Sequence, residues 1–293
     1  MLKEGTFNAD GVMINFVEGP PFGPPLVLLH GGGDRWQHFL PIIPSLVMRW
    51  HIYALDLRGH GKSGCVPGQY RPEHYVGDII AFLESQLAER MILFGHSLSG
   101  WIVLLVAAEM ENRVQALILG DPPLYMERFL AIEGSEERIE LWRAMRGLAD
   151  SGLSVPELAS GLADLPVSVL SQDAPMRYGD LPGIDTAHLR GWAKTLSQVD
   201  PDVVQYHAEG RLDEYVRKVD LYSALQRMTC PVLLLQGDPS QGGVVSDSDA
   251  EYALSLLSDG LHVRLEGSGH DLGLDAWQVA PLLRALMNFL ESL

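Results

Sequence analysis

Along the chain, short apolar runs alternate with longer stretches whose apolar positions recur at helical spacing. This is the pattern of a mostly parallel sheet with helices on both faces. Val12–Val17, Leu26–Leu29, His51–Leu55, Met91–Phe94, Val114–Leu119, Val232–Gln236 and His262–Leu265 predict strands. Between the first two, Gly19-Pro20-Pro21-Phe22-Gly23-Pro24-Pro25 forms a stiff turn that excludes helix. Pro72–Leu87, which starts with proline, predicts a crossover helix, and Leu98–Met110 and Trp277–Leu290 predict two more. From Pro122 to Val219 the rhythm breaks. Helical stretches at Glu136–Ala149, Thr186–Leu196 and Val203–Tyr215 are separated by prolines, and no strand is expected. The pattern predicts a core made of residues 1–121 and 220–293, interrupted by a helical insertion over 122–219. No internal repeat or low-complexity tract is present.

Composition narrows the function classes. A chain of 293 residues, 47% hydrophobic and 20% charged, is long enough for a large core. Its 21 basic against 38 acidic residues give a net charge of −17, so no nucleic-acid partner is expected. The acidity is spread evenly over core and insertion, which makes it a solubility property of the surface. Two cysteines, Cys65 and Cys230, predict no disulfide framework and a reducing, cytoplasmic setting. Met1-Leu2-Lys3-Glu4-Gly5 lacks the basic, apolar start of a signal peptide, and the apolar run Trp101–Ala108 is far too short to span a bilayer. No membrane association is expected. His38, His51, His74, His188, His207 and His262 show no paired ligand spacing, so no metal site is predicted. Gly31-Gly32-Gly33 lacks the downstream spacing of a dinucleotide fingerprint, no phosphate-binding loop motif occurs, and no cofactor is expected.

The candidate chemistry centres on Gly95-His96-Ser97-Leu98-Ser99-Gly100, which follows a strand and opens a helix. In so tight a strand–turn–helix, small residues must flank the nucleophile because its backbone is strained and its neighbours crowd the strand. The exposed hydroxyl then sits at a helix N-terminus, where free N–H groups favour developing negative charge. This segment resembles the nucleophile elbow of the α/β-hydrolase superfamily, with Ser99 where the last glycine of Gly-x-Ser-x-Gly belongs. Four more segments resemble the superfamily in the right order. Leu28-Leu29-His30-Gly31-Gly32-Gly33 resembles its oxyanion loop, which implies oxyanion donors at the Gly32 and Leu98 amides. Asp56-Leu57-Arg58-Gly59-His60-Gly61-Lys62-Ser63 resembles its structural loop, implying turn-stabilising roles for Arg58 and His60. Val232–Gly237 resembles the strand before the usual acid, and Gly267-Ser268-Gly269-His270 the loop bearing the catalytic histidine. The resemblance covers about two thirds of the chain and leaves the insertion uncovered.

The implied chemistry needs three side chains. A serine hydroxyl is a weak nucleophile at neutral pH, an imidazole must take its proton, and a carboxylate must orient that imidazole. Ser97 and His270 fill the first two roles. For the acid, the usual Gly-x-x-Asp reads Gly237-Asp238-Pro239-Ser240, with serine at the expected position. Asp121, at the end of the strand Val114–Leu119, matches the acid of branches such as the haloalkane dehalogenases. Asp121 is preferred, and Asp238 stays open as the alternative. The resemblance implies an α/β-hydrolase fold with an eight-stranded, mostly parallel sheet and a helical cap inserted after strand 6. Tyr125, Phe129 and Trp192 are nominated as substrate-binding residues, with Met126, Trp142 and Met176 behind them. The expected activity is a serine hydrolase that cleaves a carboxylic ester or lactone through an acyl-enzyme. The substrate is a small, mainly apolar molecule and the protein a monomer or homodimer. Carbon–carbon bond hydrolysis, cofactor-free haloperoxidation, acyl transfer, or small-molecule reception without catalysis would use the same fold.

Overall fold

Strands buried on both faces need nearly continuous apolar runs, and the central strands of this chain have them. The computed structural model describes residues 1–167, 176–181 and 183–293. Ten strands occur among them: β1 (Lys3–Ala9), β2 (Val12–Glu18), β3 (Pro25–Leu29), β4 (His51–Leu55), β5 (Met91–His96), β6 (Val114–Gly120), β7 (Pro166–Val167), β8 (Met176–Arg177), β9 (Val232–Gly237) and β10 (Gly260–Leu265). Eight of them form one sheet in the order β1-β2-β4-β3-β5-β6-β9-β10. β1 and β2 are antiparallel to each other, β2 is antiparallel to β4, and the remaining pairs are parallel. Every residue of β3, β5 and β9 is buried, as a doubly covered sheet requires. The helices Pro72–Gln86 and Leu98–Glu109 bury their apolar residues on one face of the sheet. Ile43–Leu46 and Ala280–Leu290 cover the other.

Within the eight-stranded sheet, the strand that periodicity does not reveal is β1. Its residues are mostly exposed, and it owes its order to pairing with β2 across the Asp10-Gly11 turn. Both turn residues have positive φ, at 45° and 97°, the geometry for which Asp-Gly is suited in a two-residue hairpin loop. The helix expected from Trp277 begins at Ala280, because Trp277 itself sits at φ 56° and cannot be helical.

Between β6 and β9 the chain runs through the helices Met126–Glu133, Glu136–Ala149, Val155–Ala163 and Thr186–Leu196, followed by shorter turns. Two expectations for this segment are corrected. It is not free of strand, since β7 and β8 pair antiparallel. The helix expected over Val203–Tyr215 is broken into Pro201–Val204, Gln205–Ala208 and Leu212–Tyr215. Gly210 at φ 67° ends the second piece. Leu158, Leu162, Leu165, Ala193 and Leu196 form a small core of their own here. Among the described residues, no helix is long and apolar enough to cross a membrane.

The strand order fixes where a site can form. From β3 the chain moves outward to β4 and then returns to the other side of β3 as β5, so the crossovers diverge between β3 and β5. Such a switch point opens a crevice at the carboxyl ends of the strands. The loops after β3, β5, β6, β9 and β10 all lie along this edge.

Candidate active site

Ser97 follows β5 directly and caps the helix Leu98–Glu109, with φ 53° and ψ −121°. A non-glycine residue held there stores on the order of 1–3 kcal/mol of strain, which its surroundings must impose. They do so by close packing. A Cβ at Gly95 would collide with the Ser99 carbonyl, and one at Gly100 would lie 2.6 Å from Pro122. The Ser97 amide donates to the Gly120 carbonyl at 2.8 Å, which locks the turn onto the end of β6.

The Ser97 hydroxyl lies 2.9 Å from Nε2 of His270, and Nδ1 of His270 lies 2.7 Å from a carboxylate oxygen of Asp121. A carboxylate can only accept, so Nδ1 carries the proton and Nε2 accepts from the serine. Asp121 is completely buried and receives further hydrogen bonds from the amides of Gly237, Val244 and Val245 at 2.9, 2.7 and 3.2 Å. Burial alone would raise its pKa, but His270 and these amides outweigh burial and hold it below the usual carboxylate value.

Asp238 is placed differently. Its carboxylate accepts from the amides of Gly267 and Ser240, from the Ser240 hydroxyl, and from Arg264. The Gly267 amide and the Ser240 groups pull its pKa down to about 2. It thus braces the loop that carries His270 without touching the imidazole. Of the two candidate acids, the structure brings Asp121 to His270 and leaves Asp238 behind the loop.

The loop after β3 passes directly against the elbow. A Cβ at Gly31 would lie 3.1 Å from that of Ser97, and one at Gly32 would lie 3.6 Å from the Leu98 side chain. At Gly31 a side chain would crowd Ser97 and His96, whereas at Gly32 it would meet only ordinary van der Waals contact. His30 and His60 hold the loop from behind. His30 donates from Nδ1 to the Gly31 carbonyl at 2.7 Å and accepts from the Leu57 amide at 3.0 Å. His60 accepts from the Gly33 amide at 3.0 Å and donates to the Arg58 carbonyl at 2.8 Å. Burial pushes their pKa values down to about 4 and about 3, so both stay neutral and keep these roles. Arg58 meets Asp78 through two hydrogen bonds of 2.6 Å in a buried pair, which anchors the loop after β4.

Among the described residues, sequence reasoning missed a second histidine cluster beside the site. His38 bonds to Asp34 at 2.7 Å, lies 3.4 Å from Asp275, and stacks on His96 with ring centroids 5.0 Å apart. Burial disfavours its charge, but Asp34 and Asp275 overcome this and raise its pKa to about 10. His96 is kept neutral by burial and by the neighbouring His38 and His270, near a pKa of about 3, and donates to the His270 carbonyl at 2.7 Å. No single local motif announces such a cluster, because its members come from three separate stretches: Asp34 and His38 after β3, His96 at the end of β5, and Asp275 after β10. Among the described residues, no group of three or more His, Cys, Asp or Glu side chains is placed to hold a metal ion.

A cavity of about 320 Å³ runs between the Gly32–Gly33 backbone and the inserted helices. Arg138, Leu141, Trp142, Met145 and Ala149 line it from one face of a single helix, and Trp192 and Leu196 from another. That helical spacing is visible in the sequence, though not its direction. Of the nominated substrate-binding residues, Trp192 lines this cavity. Tyr125 does not; it is 43% exposed, with its hydroxyl on Glu127 and its ring against Tyr252. Phe129 does not either, because its ring packs edge-on against Trp101 at 4.9 Å. Both follow Asp121 closely, but the chain leaves the sheet edge before the cavity wall begins. Trp142 lines the cavity, whereas Met126 and Met176 do not.

The chain matches the alpha/beta hydrolase family over residues 26–280. A 2-(acetamidomethylene)succinate hydrolase from Mesorhizobium japonicum is 25% identical over 272 residues, 92% of this chain and 89% of that protein. A serine hydrolase-like protein from Danio rerio is 32% identical over 107 residues, 36% of this chain and 33% of that relative's length. Among solved structures, a bromoperoxidase from Bacillus anthracis superposes with a TM-score of 0.75 at 18% identity, covering 99% of this chain and all of that one. That last likeness is one of fold.

Proposed function

This chain belongs to the alpha/beta hydrolase family, and from that premise we propose that it is a serine hydrolase acting on a carboxylic ester or lactone. The observation that carries this reading is the unbroken line of hydrogen bonds from the Ser97 hydroxyl through His270 to the buried Asp121. In this reading His270 takes the Ser97 proton as the oxygen attacks the carbonyl carbon. Asp121 holds the imidazole and stabilises its cationic form. The amides of Gly32 and Leu98 receive the developing oxyanion, a contribution of about 3 kcal/mol for each donor. The imidazolium returns its proton to the leaving alkoxide, which leaves an acyl-Ser97. Water, deprotonated by His270, then attacks the acyl carbon and restores the serine.

The insertion 122–219 serves as the cap over this chemistry. Its cavity walls favour a neutral, mainly apolar acyl group. Their two charged side chains and Tyr178 already have protein partners: Arg138 is held by Glu133 at 2.8 Å, Tyr178 by His188 at 2.9 Å, and Asp200 by Tyr70 at 2.5 Å. At ~30 Å³ for each water molecule, 320 Å³ holds about ten waters, room for a small acyl group in their place. The test is labelling with a fluorophosphonate, followed by a panel of p-nitrophenyl esters of rising chain length alongside lactones. An adduct on Ser97 that is absent from Ser97→Ala, with activity peaking at medium acyl length, supports the reading. Folded protein that takes no adduct overturns it. A flat response across the panel, with labelling intact, redirects the assignment to carbon–carbon cleavage or acyl transfer.

A further inference from the structure

The elbow departs from Gly-x-Ser-x-Gly at one position, and the departing side chain is not idle. Ser99 is completely buried, and its hydroxyl donates to the carbonyl of His30 at 2.5 Å. That carbonyl lies at a break in the sheet. β3 ends at Leu29, whose ladder partner is Gly95, so the next carbonyl has moved beyond the reach of β5. A buried carbonyl there needs a donor, and a glycine at position 99 would supply none.

The two ends of this hydrogen bond stand beside the two proposed oxyanion donors. Ser99 is in the first turn of the helix whose first amide is that of Leu98. His30 leads directly into Gly31 and Gly32. The rest of the loop is pinned at the Gly31 carbonyl by the His30 ring and at the Gly33 amide by His60. The Gly32 amide, between those pins, donates to no group among the described residues. The loop's height over the elbow is therefore set by its pins and by the one hydroxyl that reaches it from the helix.

We infer that Ser99 is a positioning residue of the oxyanion hole, its hydroxyl holding the strand that presents the Gly32 amide against the helix that presents the Leu98 amide. The inference rests on the serine-hydrolase reading above. Losing the hydroxyl frees the His30 carbonyl and lets the loop drift, and misplacement by about 1 Å costs up to about 100-fold in rate.

The experiment compares wild type, Ser99→Ala and Ser99→Gly in three measurements. These are kcat and KM on the best p-nitrophenyl ester, the rate of fluorophosphonate labelling at Ser97, and the affinity for an alkyl boronic acid that forms a tetrahedral adduct. The expected result is a kcat lower by about 10- to 100-fold with KM within about twofold, and boronate affinity and labelling rate falling by similar factors. Ser99→Gly guards against a packing defect confined to the alanine variant, and all assays are run well below each variant's Tm. Variants that lower Tm but keep wild-type kcat and boronate affinity overturn the inference and leave the hydrolase reading standing. Wild-type protein that takes no fluorophosphonate adduct overturns both.

Discussion

The sheet edge and the inserted segment are built on different physical terms. At the edge, each reacting side chain is fixed by several partners: Asp121 has four hydrogen-bond donors, and the β3 loop is pinned by two neutral histidines. In the insertion, the helices Met126–Glu133 and Glu136–Ala149 bury no residue fully, and the small core is supplied mainly by Val155–Ala163 and Thr186–Leu196, with Glu136–Ala149 only partly buried against it. One region is over-determined and the other loosely held. The difference separates two tasks, since chemistry needs atoms held to tenths of an ångström while substrate choice needs a wall that can be reshaped.

The largest expected effects fall on the edge. Asp121→Asn should lower kcat by about 10³- to 10⁴-fold, because an amide facing Nδ1 disturbs the tautomer that Ser97 requires. Asp238→Asn should lower kcat less than about tenfold while reducing Tm, since it loosens the loop and not the imidazole. Equal losses in kcat for the two variants would erase the distinction drawn between them. Arg58→Met strands Asp78 in a buried site and should cost about 3–5 kcal/mol of stability, read by urea unfolding. A loss below about 1 kcal/mol would show that the edge is less tightly held than its geometry indicates.

Acidification tests the same contrast without mutation. At the edge, His30, His60 and His96 have pKa values lowered by burial to between about 3 and about 4. In the unfolded chain they titrate near 6.5, so between these limits the unfolded state binds more protons and stability falls as pH falls. His38 has the opposite sign. Its contribution is complete below pH 6.5 and is lost as pH rises toward about 10. Tm followed by scanning fluorimetry should drop by about 5 °C or more from pH 7 to pH 5. A flat profile would mean that these rings are not held neutral. The smallest effect belongs to the insertion: Trp192→Ala should raise KM for medium-chain esters by about tenfold, with kcat and Tm little changed. A matching collapse of kcat would tie this wall to the chemistry after all.

Much of the architecture was legible because its causes are local. The strands of a doubly covered sheet need apolar runs, and Met91–Phe94 or Val232–Gln236 can do little else. The edge strand Lys3–Ala9 lacked that signal, and its hairpin through Asp10-Gly11 emerged only from the structure. The placement of Tyr125 and Phe129 was not legible. Proximity to Asp121 in sequence says nothing about the direction in which the chain leaves the sheet.

The amino-acid sequence by itself determined the elbow. A strained turn between strand and helix demands small residues at set positions, and Gly95, Ser97, Ser99 and Gly100 lie within six consecutive residues. It also determined the order in which serine, carboxylate and histidine reach the carboxyl edge. Only the tertiary structure decided which carboxylate meets the imidazole. Asp121 and Asp238 stand at the ends of adjacent strands, β6 and β9, and either could have served. The choice rests on where the amides of Gly237, Val244 and Val245 point and on which side of the loop His270 emerges. Those directions arise from contacts more than 100 residues apart in the chain, which no local pattern records.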